Sequence, residues 1–116
     1  MSSIKPFQIN VSDAMLADIR ARVAAFPWHE MPDDGGWEYG ANLDYMKELC
    51  AYWADKFDWR PWEAKLNAWP QFMTEIDGVD IHFLHVKSPH ENAMPLVITH
   101  GWPGSAVSYT HLRAHE

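Results

Sequence analysis

The chain predicts an α/β fold, a helical meander followed by the first strands of a sheet. Three observations predict it. Apolar residues recur at three- and four-residue steps as far as Pro70, the period then switches to two, and an unbroken apolar run, Leu96-Val97-Ile98-Thr99, stops abruptly at His100-Gly101-Trp102-Pro103-Gly104-Ser105. At 116 residues with 47% hydrophobic composition the chain is one ordinary domain or a piece of a larger one.

Each element follows in order. Phe7, Ile9 and Val11 alternate with Gln8 and Asn10, which reads as a short extended segment. Ser12 then offers a capping hydroxyl ahead of Asp13, and Met15, Leu16, Ile19, Val23 and Phe26 form one apolar stripe, so a first helix is predicted over 13–25, ending before Pro27. Between Pro27 and Gly40, prolines, glycines and Asp33-Asp34 break any period. Trp28, Trp37 and Tyr39 suit a solvated loop poorly, so this loop is expected to pack. Asn42 can cap a second helix carrying Tyr45, Met46, Leu49, Tyr52, Trp53 and Phe57 at helical spacing, with Lys47 and Lys56 on the polar side. Asp58 and Pro61 open a short third helix, with Trp62, Leu66 and Trp69 on one face until Pro70.

Beyond Pro70, Phe72, Thr74 and Ile76 alternate toward Asp77-Gly78, a two-residue hairpin signal, and Val79, Ile81, Phe83 and His85 alternate on the return. A polar connection from Ser88 to Pro95 leads to Leu96–Thr99, predicted as a third strand, of the kind buried on both faces in a parallel sheet. The seven tryptophans, at 28, 37, 53, 59, 62, 69 and 102, invite thoughts of base or sugar stacking. With no basic groove beside them, buried packing against a core that lies outside this chain is the better account.

Charge and composition exclude several functions. Sixteen acidic against nine basic residues give a net charge of −7 without a Lys/Arg cluster, which argues against nucleic acid or an anionic membrane surface as a partner. The single cysteine, Cys50, permits no internal disulfide and reads as a small buried thiol in a reducing compartment. Met1 to Pro6 lacks the apolar core of a signal peptide, so a cytoplasmic protein without a membrane anchor is expected. His82 and His85 have a metal-like spacing, but on a strand they face opposite sides, and no metal site is expected from them. His111 and His115 would share a helix face, as in zinc helices. They fall in the last ten residues, where the character of the sequence changes.

The chemistry is expected at the end of the apolar run. An acyl-transfer site needs a backbone N–H aimed at a developing oxyanion and fixed before reaction. Gly101 permits a sharp turn, and Pro103 fixes φ and admits a cis bond after Trp102, so the Trp102 amide is aimed. A loop after the third strand supplies one such donor in α/β-hydrolases. A simple strand-ending turn is the alternative for His100-Gly101 taken alone.

The chain resembles the amino-terminal region of the microsomal-type epoxide hydrolases of the α/β-hydrolase superfamily. The likeness runs from Pro6 to Ser105 and rests on Pro6-Phe7-Gln8-Ile9, Gly36-Trp37-Glu38-Tyr39-Gly40, Leu43 to Trp53, Phe57-Asp58-Trp59-Arg60, Leu66-Asn67, Pro70-Gln71-Phe72, Ile76-Asp77-Gly78, Ile81-His82-Phe83 and the His-Gly-Trp-Pro-Gly loop. The resemblance implies a helical meander over 1–69 that wraps a hydrolase core and its lid. Over 70–105 it implies the start of that core: the hairpin, a third strand and the oxyanion loop.

In that family an aspartate opens the epoxide to form an alkyl ester while two tyrosines polarise the epoxide oxygen. A histidine, assisted by a carboxylate, then activates water against the ester. The resemblance carries over one catalytic group, the main-chain N–H of Trp102, with His100, Gly101, Pro103 and Gly104 as loop support. It implies no cofactor and no metal, and a small, largely apolar epoxide as the partner of the full-length protein. Nucleophile, base, acid and tyrosines are expected beyond residue 116, so the chain alone is expected to be inactive. Two other readings stay open: another α/β-hydrolase, such as a dehalogenase or esterase, and a non-catalytic helical module that binds a partner through its aromatic face. From Val107 the string Val-Ser-Tyr-Thr-His-Leu-Arg-Ala-His-Glu departs from the family and looks like a translated sequencing adaptor, so 106–116 is expected to be a non-native tail.

Overall fold

Ser12 begins the first helix as its position predicts: its Oγ accepts from the Met15 N–H at 3.2 Å, and its carbonyl accepts from Leu16. In the computed structural model, which describes residues 3–30 and 35–105, this helix is α1, Asp13–Ala24. Asp13 sits in its first turn, where the helix dipole favours an anion, and Pro27 stops it shortly after. Asn42 caps α2, Leu43–Asp55, in the same way, with Oδ1 accepting from the Tyr45 N–H at 3.0 Å.

The chain divides into two compact units, one of them residues 10–59, which holds α1 and α2. Met46, Cys50 and Ala54 of α2, and Phe57 just beyond its end, are half-buried, a stripe at four- and three-residue steps. Val23 and Ala24 of α1 line a shallow cleft with Cys50, Ala51 and Ala54 of α2. Arg20 reaches past the end of α2 to donate to the Phe57 carbonyl at 3.2 Å. The predicted apolar face of α2 is therefore split. Met46 and Phe57 turn inward, while Tyr45, Leu49, Tyr52 and Trp53 remain 42–51% exposed. One neighbouring helix cannot cover apolar positions that span more than half of α2's circumference.

The loop aromatics find one another. Trp28 meets Phe26 edge-on at 5.0 Å between ring centroids, and Trp37 meets Tyr45 at 5.2 Å. Trp28, Trp37, Trp53 and Trp62 nevertheless remain exposed among the described residues, which do not include the hydrolase core they are expected to pack against. Cys50 is likewise half-buried and not fully enclosed.

The other unit comprises residues 3–9 and 60–105. Its helix, α3 (Arg60–Asn67), starts one residue before Pro61 and is tied in its first turn by Arg60 to Glu63 at 2.7 Å. Three antiparallel strands follow the order β1 (Lys5–Phe7), β2 (Gln71–Ile76), β3 (Val79–Leu84). β1 is an outer strand of the sheet formed by the hairpin, with Pro6 opposite Phe72, and it takes only Phe7 from the alternating stretch 7–11 that was expected to be extended. His82 and His85 do face opposite sides: His82 meets Phe7 at 5.0 Å, whereas His85 lies 6.2 Å from Phe72.

Asp77 and Gly78 both adopt positive φ, 52° and 79°, as a two-residue primed turn requires. A Cβ at Gly78 would meet open space, so any cost of substitution there is conformational. Gly78→Val is expected to lower the stability of the full-length protein by about 1–2 kcal/mol. The urea-unfolding midpoint checks it, and an unchanged midpoint would contradict the turn assignment.

Leu96–Thr99 is not a strand in this structure. Leu96, Val97 and Ile98 are exposed, and the sheet of the described residues ends at β3. A strand exists only through its ladder, and no strand of the described residues pairs with this run.

Candidate active-site loop

The loop after Ile98 closes on itself through one carbonyl. The Gly104 N–H donates to the Gly101 oxygen at 2.6 Å, making a four-residue turn with Trp102 and Pro103 at its centre, and the Trp102–Pro103 bond is cis. His100 Nδ1 lies 3.2 Å from the same Gly101 oxygen. That contact is a hydrogen bond when Nδ1 carries the proton, because two lone pairs would otherwise face each other.

The Gly101 carbonyl and the Trp102 N–H belong to one planar trans peptide unit, so they point in opposite directions. Donors that hold the oxygen therefore also set the direction of the N–H. Among the described residues nothing accepts from that N–H. The Trp102 side chain is 98% exposed and packs against none of its neighbours. The sequence-predicted residues His100, Gly101, Trp102, Pro103 and Gly104 are thus assembled as one turn. Leu96–Thr99, which was expected to carry that turn on a strand, is not assembled.

Among the described residues no group of three or more His, Cys, Asp or Glu side chains could hold a metal ion, and no helix is long and apolar enough to cross a membrane. His111 and His115 lie outside the described residues, as does the expected non-native stretch 106–116.

One polar cluster has no local signature in the sequence. Asn67, at the end of α3, accepts the Ile9 N–H on Oδ1 and donates from Nδ2 to the Ile9 carbonyl, both at 2.8 Å. Gln71, only 5% exposed, donates from Nε2 to the Leu66 carbonyl at 2.8 Å and reaches Asn67 Oδ1 at 3.4 Å. Its Oε1 lies 2.9 Å from His82 Nε2. These directions are forced in sequence. The Ile9 N–H requires the oxygen of Asn67, which requires the amide nitrogen of Gln71, which leaves Gln71 Oε1 to accept, so His82 Nε2 must carry a proton. The signal available in the sequence was two amide side chains bracketing Pro70. Nothing local ties them to Ile9.

A helical meander, a hairpin and then a His-Gly-Trp-Pro turn form the opening of an α/β-hydrolase chain. More narrowly, the chain belongs to the epoxide hydrolase N terminus family, which it matches over residues 4–109. It is 42% identical over 106 residues to epoxide hydrolase 1 of Sus scrofa, covering 88% of this chain and 23% of that protein. Among solved structures it is similar to the epoxide hydrolase of Aspergillus niger, with a TM-score of 0.84 and 36% identity over 97% of this chain and 30% of the other. It is also similar to the juvenile hormone epoxide hydrolase of the silkworm Bombyx mori, with a TM-score of 0.77 and 32% identity over 90% and 26% of the two chains. The chain therefore spans about a quarter of the length of the curated relatives it matches.

Proposed function

We propose that this chain is the amino-terminal part of an epoxide hydrolase that adds water to a small, largely apolar epoxide to give a vicinal diol, and that residues 70–105 open its hydrolase core. The observation that carries the proposal is the family match over residues 4–109. In the first half-reaction a carboxylate oxygen attacks an epoxide carbon, the carbon–oxygen bond breaks, and the epoxide oxygen takes a proton, leaving an alkyl ester. In the second, water adds to the ester carbonyl, a tetrahedral oxyanion forms, and its collapse returns the carboxylate and releases the diol. The Trp102 N–H is assigned to that oxyanion. What supports the assignment is the Gly101 carbonyl held by Gly104 and faced by His100, which leaves the N–H of the same peptide unit aimed and unengaged among the described residues.

Isotope transfer tests the reaction. A single turnover of the full-length protein in water enriched in oxygen-18 should give a diol free of the label. One diol oxygen then comes from the epoxide, the other from the enzyme's carboxylate, and the label stays on the enzyme. Label in the first-turnover diol would mean direct attack by water and would overturn the ester route. Conversion of no epoxide at all would overturn the proposed activity.

A further inference from the structure

The geometry points to β1 as a guard strand over the edge of β2, latched in place by the side chains of Asn67, Gln71 and His82. β1 is only three residues long, so few ladder bonds can join it to β2. Backbone pairing with β2 is therefore a weak hold. The side chains add what the ladder lacks. Asn67 bonds both the N–H and the carbonyl of Ile9, as an antiparallel partner residue would, and so extends the strand's anchorage two residues past Phe7. His82 closes the other end of the relay: its ring meets Phe7 edge-on while its Nε2–H donates to Gln71.

What β1 covers explains why a latch matters. Without it, β2 would present Gln71, Phe72 and Met73 along an unpaired edge, and such an edge is a template for pairing with a second chain. β1 itself is a poor template. Pro6 interrupts its outer row of donors and Lys5 adds a charge, both of which blunt an outer strand against further pairing. The strap thus exchanges a continuous edge for an interrupted one, and Asn67 decides whether it stays.

Hydrogen exchange of the full-length protein tests this, followed peptide by peptide for Asn67→Ala and His82→Phe. In the Asn67→Ala protein, exchange in residues 3–9 should accelerate on the order of ten- to a hundredfold, as expected when a half-buried donor and acceptor both lose their partner. Residues 13–24 and 43–55 should keep their protection, and sedimentation should show concentration-dependent association. His82→Phe keeps a ring against Phe7 but removes the Nε2 donor, so it should act in the same direction with a smaller change. It also reads the latch if the Asn67 variant cannot be recovered. Unchanged protection of residues 3–9 in either variant would overturn the proposal. So would loss of protection spread equally through both helices, since that marks general destabilisation. Opening of residues 3–9 without association would overturn the guarding role.

Discussion

Replacing Trp102 by proline in the full-length protein should slow hydrolysis of the ester intermediate by on the order of 10²- to 10³-fold, the cost of losing one oxyanion donor in other acyl-transfer sites. Formation of the ester should be nearly unaffected, because no carbonyl becomes tetrahedral in that step. The two rates separate in single-turnover kinetics, where the ester should accumulate. Trp102→Ala supplies the control. It keeps the N–H, and the indole it removes is 98% exposed and supports nothing in the described loop. The alanine protein should hydrolyse its ester at close to the normal rate. His100→Leu removes one of two groups at the Gly101 carbonyl and should produce an intermediate slowing, since Gly104 still holds that oxygen. Normal ester hydrolysis in the proline variant would remove Trp102 from the mechanism. Equal slowing in the alanine variant would assign the effect to the indole.

The second large effect concerns the 116-residue chain by itself, which should show no cooperative thermal transition and should bind apolar dyes. Among the described residues no hydrophobic side chain is buried. On α2, Tyr45, Leu49, Tyr52 and Trp53 are 42–51% exposed, and Ile76, Val79 and Ile81 of the hairpin are 39–59% exposed. Full burial of a large apolar side chain contributes about 1.5–3 kcal/mol, so leaving each of these half-covered forgoes roughly half of that. Total stabilities of native domains are only about 5–15 kcal/mol, and the shortfall from these side chains alone is of that size. Calorimetry and dye fluorescence check the expectation. A soluble monomer with a sharp two-state melt would count instead for a free-standing interaction module.

The same exposure explains where reading the sequence succeeded and where it did not. Ser12, Asn42 and Asp77-Gly78 were legible because caps and tight turns are decided by a few consecutive φ/ψ values and one side-chain hydrogen bond. The His100–Gly104 turn was legible for the same reason, since its closing bond spans three residues. Apolar periodicity located α1, α2 and α3 but overstated their burial, because a stripe shows which face wants a partner and not whether one is there.

By itself, then, the sequence determined the helices, the hairpin, the loop and the epoxide hydrolase family to which the chain belongs. Tertiary structure alone decided that residues 5–7 join β2, and that Asn67 reaches back to Ile9 across 58 positions. It also decided the proton position on His82 and left Leu96–Thr99 without a ladder among the described residues. The physical reason is common to all four. Strand pairing and side-chain relays are satisfied by groups far apart in the chain, and local pattern shows that such a group needs a partner without showing which one it finds.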